Sequence, residues 1–335
     1  MANINPQKAI FSVLALFLLL SSVGHADEYT FDTIFKEATT AKQNKNIVLA
    51  TEKFKQSKFI AFKNAYSKRE LDSIISLLEI FDAQHKQNEI KALLSRLENL
   101  SVKLYDPLDQ VRCYRILAIF YQKFSRDELA RDYFSVAVEY ARELDDQYIK
   151  TILLNELGNA DAKVDDLYAA LSSFNESYTI AKTIGDNESM INAIINVVQV
   201  KIELRELDGL EDSLDLIDAL IEKNNTSHNY NLQLIKTGDL YYQLFKNANN
   251  KNDYLLKAFN YYSKAKTLGK KFQSPTLQAI ANLKLSALYL AENRKKEAEQ
   301  LLDLSIKGFK ASNSVTYLRK AYAIKATLAP NSKNL

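Results

Sequence analysis

Tryptophan is absent, cysteine occurs once, and the 335 residues hold only seven glycines, four prolines and three histidines. A single thiol, Cys113, cannot close an intrachain disulfide. His25, His85 and His228 are too scattered along the chain to form a histidine metal site. So few turn-forming residues exclude a sandwich, a barrel or a glycine-rich nucleotide fold. No phosphate loop, no G-x-G-x-x-G and no H-E-x-x-H occurs, so the expectation is a chain that is not an enzyme, with no cofactor and no metal. What remains is 47% hydrophobic and 25% charged, enough apolar matter for a large core, and the scarcity of helix breakers makes an almost wholly helical chain.

The first 26 residues carry one lysine, Lys8, then an apolar run from Ala9 to Leu20, then Ser21, Ser22 and Val23 before Gly24, His25 and Ala26. That order of basic, apolar and small side chains is the pattern of a secretory signal peptide, with cleavage expected after Ala26. The run of twelve is shorter than the roughly 20 residues a spanning helix needs, and no later segment is apolar for long enough. The expectation is therefore export to a bacterial periplasm, with no stable membrane insertion after cleavage; the lack of disulfides agrees with that compartment.

The rest of the chain repeats. Leu117, Ala118, Tyr121, Ala130, Phe134 and Ala137 recur forty residues on as Leu157, Gly158, Asp161, Ala170, Phe174 and Ser177, and forty residues back as Leu77, Leu78, Phe81, Ile90, Leu94 and Leu97. The register extends to Ala38, Ala41, Ala50, Phe54 and Ser57 on one side. On the other it reaches Val197, Val198, Leu210, Leu214 and Ile217, then Gly238 and Tyr241, and lastly Leu285, Ser286, Tyr289, Ala298, Leu302 and Ser305. The first three positions share one face of a helix and the last three share one face of a second, so each unit is a helical hairpin. Neither helix can cover its apolar stripe alone; stacking neighbours buries a continuous core. About seven helix pairs are expected over residues 27–329, closed by a helix from about Val315 to Leu328, with 330–335 as a tail.

The punctuation fits. Pro107 behind Asp106 and Pro275 behind Ser274 read as first-turn prolines after capping residues. Gly185, the pair Asn224-Asn225 and Gly269 read as left-handed stops after second helices. Lys246 to Asp253 reads as an inserted polar loop, because the second half of that unit, Ala258, Tyr262 and Ala265, arrives eight residues late.

At these residues the pattern resembles the tetratricopeptide repeat (TPR) in its longer variety, and Ala258, Tyr262 and Ala265 before Leu268-Gly269 are close to how such units end. The resemblance covers nearly all of the chain after residue 26 and implies an all-α solenoid wound as a right-handed superhelix. Asp161 stands where such repeats usually carry an aromatic. The resemblance extends to periplasmic TPR regions of bacterial signalling proteins. It implies that first helices line a concave groove, and projecting its groove positions gives Arg112, Arg115, Asn155, Asn159, Asn192, Asn196, Gln199, Lys236, Asp239 and Tyr242. Successive carboxamides can pair with the backbone of an extended peptide without reading its side chains, and the cations would favour an acidic group on it.

The function expected is thus a periplasmic scaffold binding a peptide or protein segment. The alternatives are a sensory input module of a diguanylate cyclase or histidine kinase system, and an adaptor in envelope or secretion-complex assembly. Charge adds one more expectation. Residues 27–126 carry 17 basic and 13 acidic side chains, residues 127–222 carry 7 and 22, and residues 223–335 carry 19 and 6. Contact between the basic end of one copy and the acidic middle of another would give salt-sensitive self-association. Lysines alternating with Asn and Tyr do not form the dense stripe that nucleic acid requires.

Overall fold

The computed structural model describes residues 28–223, 230–247 and 252–328. The leader expected over residues 1–26, the stop at Asn224-Asn225, His228 and the tail at 330–335 lie outside the described residues. The described chain is all-α, a solenoid of paired antiparallel helices, and contains no strand.

It divides into two compact units at Asp145. The first holds α1 (28–43), α2 (Ile47–Lys63), α3 (Ser67–Ala83), α4 (Gln87–Ser101), α5 (Pro107–Lys123) and α6 (Asp127–Arg142). Its core runs through Ala38, Phe54, Leu71, Ile74, Leu77, Leu94, Leu97 and Leu117. The second holds α7 (Gln147–Lys163), α8 (Leu167–Ile184), α9 (Asn187–Glu203), α10 (Leu210–Lys223) and α11 (Tyr230–Asn247). It continues with α12 (Asn252–Lys271), α13 (Pro275–Ala291), α14 (Lys295–Ala311) and α15 (Val315–Leu328). Its main core joins Ile191, Ile195, Val198, Leu214, Ile217, Leu234, Tyr241 and Tyr262. Each leucine, isoleucine, valine or phenylalanine among them contributes about 1.5–3 kcal/mol when fully buried.

The helices start where the local chemistry directs them. Asp106 accepts from the amides of Leu108 and Asp109 at 2.9 and 3.1 Å, with Pro107 in the first turn; Ser274 accepts from Leu277 at 3.3 Å in front of Pro275. Asp146, Asp166 and Asp186 cap α7, α8 and α9 in the same way.

The stops differ from expectation. Gly185 is left-handed at φ 71°, as read from the sequence. Gly269 is not a stop: it lies inside α12, where an added Cβ would come within 2.9 Å of Gln278 Cγ and 3.0 Å of its amide nitrogen, so it is small to let α13 approach. The left-handed residue after that helix is Gln273. Elsewhere the same conformation falls on Gly209 and on eight residues that are not glycine: Lys45, Ala65, His85, Ser125, Asp165, Arg205, Asn293 and Asn313. The turn is held by the backbone: beside Ala65, the amide of Tyr66 donates to Ala61 at 2.9 Å, closing the helix end whatever the side chain.

The polar insertion is also shorter than expected. Lys246 and Asn247 belong to α11 and Asn252 and Asp253 to α12, because both helices extend by a turn; residues 248–251 lie outside the described residues.

Candidate functional site

Within the second unit, the polar residues projected from the repeat sit on first helices α7, α9 and α11, and much of their hydrogen bonding is directed at one another. Asn155 on α7 donates to Ser177 Oγ at 2.5 Å and to the carbonyl of Thr151 at 3.2 Å, and its Oδ1 accepts from Asn196 Nδ2 at 3.4 Å. Asn196 is accordingly buried, 8% exposed. These two carboxamides tie α7 to α8 and to α9. Asn159 and Gln199 are exposed; Asn159 donates to the carbonyl of Asn155 at 2.7 Å and Gln199 to Glu203 at 3.5 Å.

Asn192 and Lys236 meet between α9 and α11, with Nζ 3.5 Å from Asn192 Oδ1. Burial lowers the proton affinity of the Lys236 ammonium, and no carboxylate among the described residues lies within ion-pair reach to restore it. Its neighbours are different. Lys284 on α13 pairs with Asp239 at 2.7 Å, and Lys257 on α12 pairs with Asp218 at 3.2 Å. Asp239 also accepts from Tyr262 at 2.5 Å, so it is occupied twice. Tyr242 stacks on Phe245, carries Lys246 4.3 Å above its ring, and donates to the carbonyl of Ala287 at 3.4 Å.

In the first unit, Arg112 on α5 donates to Asp72 on α3 at 2.6 Å and to Asp109 at 3.0 Å. Its fork is directed at this chain's own carboxylates. Arg115 is half-buried and already engaged.

Two clusters were missed by the sequence reading. Glu98 accepts from Tyr121 at 2.6 Å and Tyr133 at 3.0 Å. Asp218 accepts from Tyr261 at 2.5 Å, from Tyr241 at 3.0 Å and from Lys257. A carboxylate 23 residues before a tyrosine recurs in Glu98–Tyr121, Asp218–Tyr241 and Asp239–Tyr262, and that spacing is the signal that would have found them. Burial first, and then the bonded carboxylates, raise the phenols of all five of these tyrosines, Tyr121 to about 12.

Cys113 is fully buried, donates to the carbonyl of Leu97 at 3.7 Å, and has its thiol pushed up by burial to about 12, which leaves no thiolate to act as a nucleophile. No group of three His, Cys, Asp or Glu among the described residues could hold a metal.

No family model matches the chain, and no curated protein does. Solved structures do. A Rap protein complexed with Competence and Sporulation Factor matches with a TM-score of 0.58 at 13% identity, over 88% of this chain and 80% of that one. The apo quorum sensor NprR from B. thuringiensis matches with a TM-score of 0.54 at 15% identity, over 92% and 84%. A tetratricopeptide repeat protein from Parabacteroides merdae matches with a TM-score of 0.58 at 14% identity, over 88% and 99%.

The expectation of a periplasmic protein cleaved after Ala26 is corrected by these likenesses. Matches over most of the chain include a Rap protein and a quorum sensor rather than periplasmic sensory regions. The expectation rested on the residue order of the first 26 positions, which lie outside the described residues, and the repeat register records only how helices pack, which takes the same form in any compartment. The described residues contain no helix long and apolar enough to cross a membrane. What the likenesses share with this chain is a TPR-like fold of helix pairs.

Proposed function

We propose that this chain is a scaffold that holds an extended peptide or protein segment along first helices α7, α9 and α11, with an acidic group of that segment at Lys236. One observation carries the reading: on this face Lys284 is neutralised by Asp239, whereas Lys236, among the described residues, meets the carboxamide of Asn192 and no carboxylate. A partly desolvated cation is costly to keep without a counter-charge, and a ligand carboxylate supplies one. Asn192, with the exposed Asn159 and Gln199, offers donors and acceptors at which a ligand backbone can pair. Asn155, Asn196, Asp239 and Tyr242 hold the helices in register. Arg112 and Arg115 lie in the first unit, and Arg112 is already matched to carboxylates. The likeness to a Rap structure solved with a bound factor supports the scaffold reading at the level of fold.

The test is equilibrium selection from a randomised pool of roughly ten-residue peptides, read by mass spectrometry. Acidic peptides should be enriched by the wild-type chain, and Lys236→Met should reduce that enrichment about tenfold, the order of a hydrogen bond to a charged group. Enrichment indifferent to Lys236→Met and to Asn192→Ala would sink the assignment. A sensory role, in keeping with the quorum-sensor likeness, adds that a selected peptide changes the small-angle scattering profile.

A further inference from the structure

The outward face of α2 departs from its own repeat. At the position of Phe59, the second helices α4, α6 and α8 carry Asn99, Glu139 and Thr179 in the forty-residue register; at that of Phe62 stand Val102, just past the end of α4, Arg142 on α6 and Lys182 on α8. Those later positions are mostly polar, as a solvated helix face should be. On α2, Phe59 is 63% exposed, Phe62 54% and Val48 82%. With Lys55 they form one stripe at helical spacing, and Lys63 flanks it; both lysines are exposed. Glu52 is the stripe's only acidic member.

The surroundings set the sign of the patch. Lys53, which faces α1, is neutralised by Glu37 at 2.7 Å. Arg96 of α4 lies 4.6 Å over the ring of Phe62 while its fork binds Glu70 at 2.7 and 2.8 Å, so Phe62 leans on a cation. Lys55 lies 5.8 Å over Phe81. Two aromatic rings and a valine therefore stand out from one helix among ammonium groups. The α4 side of Phe62 is already filled by Arg96, so the stripe offers a peptide no open cleft there. Pairing with α2 of a second copy, antiparallel about the middle of the stripe, would set Lys55 against Lys55. A planar anionic surface suits all of these features: rings enter the acyl boundary while lysines stay at the phosphates.

We infer that the outer face of α2 is a peripheral contact for an anionic phospholipid surface, with Phe59 and Phe62 entering it and Lys55 and Lys63 meeting its headgroups. The contact is independent of the ligand face on α7, α9 and α11.

The test uses the full chain and large vesicles of three parts phosphatidylcholine to one part phosphatidylglycerol, against phosphatidylcholine alone. Because the chain has no tryptophan, Phe59→Trp places a single reporter in the patch. Its emission should shift to the blue with the anionic vesicles and hardly at all with the neutral ones. In co-sedimentation, Lys55→Glu with Lys63→Glu should lower binding to the anionic vesicles at least tenfold, at about 1 kcal/mol for each charge. Phe59→Ser, at an exposed site that keeps helicity, should lower it severalfold. Failure to bind either vesicle overturns the inference, as does binding insensitive to these substitutions. A blue shift of the indole reporter that depends on protein concentration, without lipid, assigns the face to self-association and overturns it equally.

Discussion

Tyr262 places its ring over the backbone of Gly238 and its hydroxyl 2.5 Å from the carboxylate of the next residue, Asp239. A Cβ on residue 238 would stand 2.5 Å from the ring's Cε1, so the closeness of α11 to α12 depends on the missing side chain. Gly158 stands in the same relation to Phe174, at 2.6 Å.

From this, Gly238→Ala should destabilise the chain by about 1–3 kcal/mol through overpacking, even though alanine gains up to about 1 kcal/mol in helix propensity. Combining it with Tyr262→Leu should recover part of the packing loss and leave Asp239 to Lys284 alone. Urea unfolding midpoints of the two single variants and the double measure the coupling directly.

The turns give a second expectation, of opposite sign at two sites. Ala65 is exposed and left-handed at φ 56°, a conformation that costs an alanine about 1–2 kcal/mol. Ala65→Gly should therefore raise stability by about 0.5–1 kcal/mol after the added chain entropy of glycine. At Gly185, where nothing lies within 4 Å of an added Cβ and only the φ of 71° matters, Gly185→Ala should lower it by about 1 kcal/mol. Thermal unfolding of both variants checks the pair.

The tyrosine clusters govern behaviour in alkali. The phenol of Tyr121, ordinarily near 10, is raised to about 12 by burial and by its bond to Glu98. A group whose folded-state value is raised binds its proton more tightly when folded. Its contribution is complete below pH 10 and is lost as pH climbs through about 12. Unfolding should thus set in above pH 10, with the phenolate absorbance of the clustered tyrosines rising together with the loss of helicity. Glu98→Gln should bring the phenol of Tyr121 down toward its ordinary range and flatten the loss of stability above pH 10. Phenolate absorbance followed beside circular dichroism, from about pH 9 to about pH 13, decides it.

Helix pairing was legible because packing writes itself locally. Leu117, Ala118, Ala130 and Phe134 are all buried, and their offsets announced two faces of two helices before any contact was known. Pro107 and Pro275 marked starts for an equally local reason, since a capping side chain and a fixed φ act within a few residues. The turns at Lys45, Ala65 and Ser125 were not legible, because main-chain bonds impose the left-handed residue without asking for glycine. Nor was the pairing within the site. Asn196 reads as an exposed carboxamide until Asn155, 41 residues earlier, is found against it, and Arg112 reads as a recognition group until Asp72 arrives from 40 residues back. Side-chain partners that lie one repeat apart leave no mark on either residue's own neighbourhood.

Cys113 sits at zero exposure in the packed interior of the first unit. Being the sole sulfhydryl, it makes the molecule its own stopwatch: an alkylating reagent can reach it only during the moments when α4 and α5 part. The pace of labelling then counts those openings one by one, with no probe to engineer.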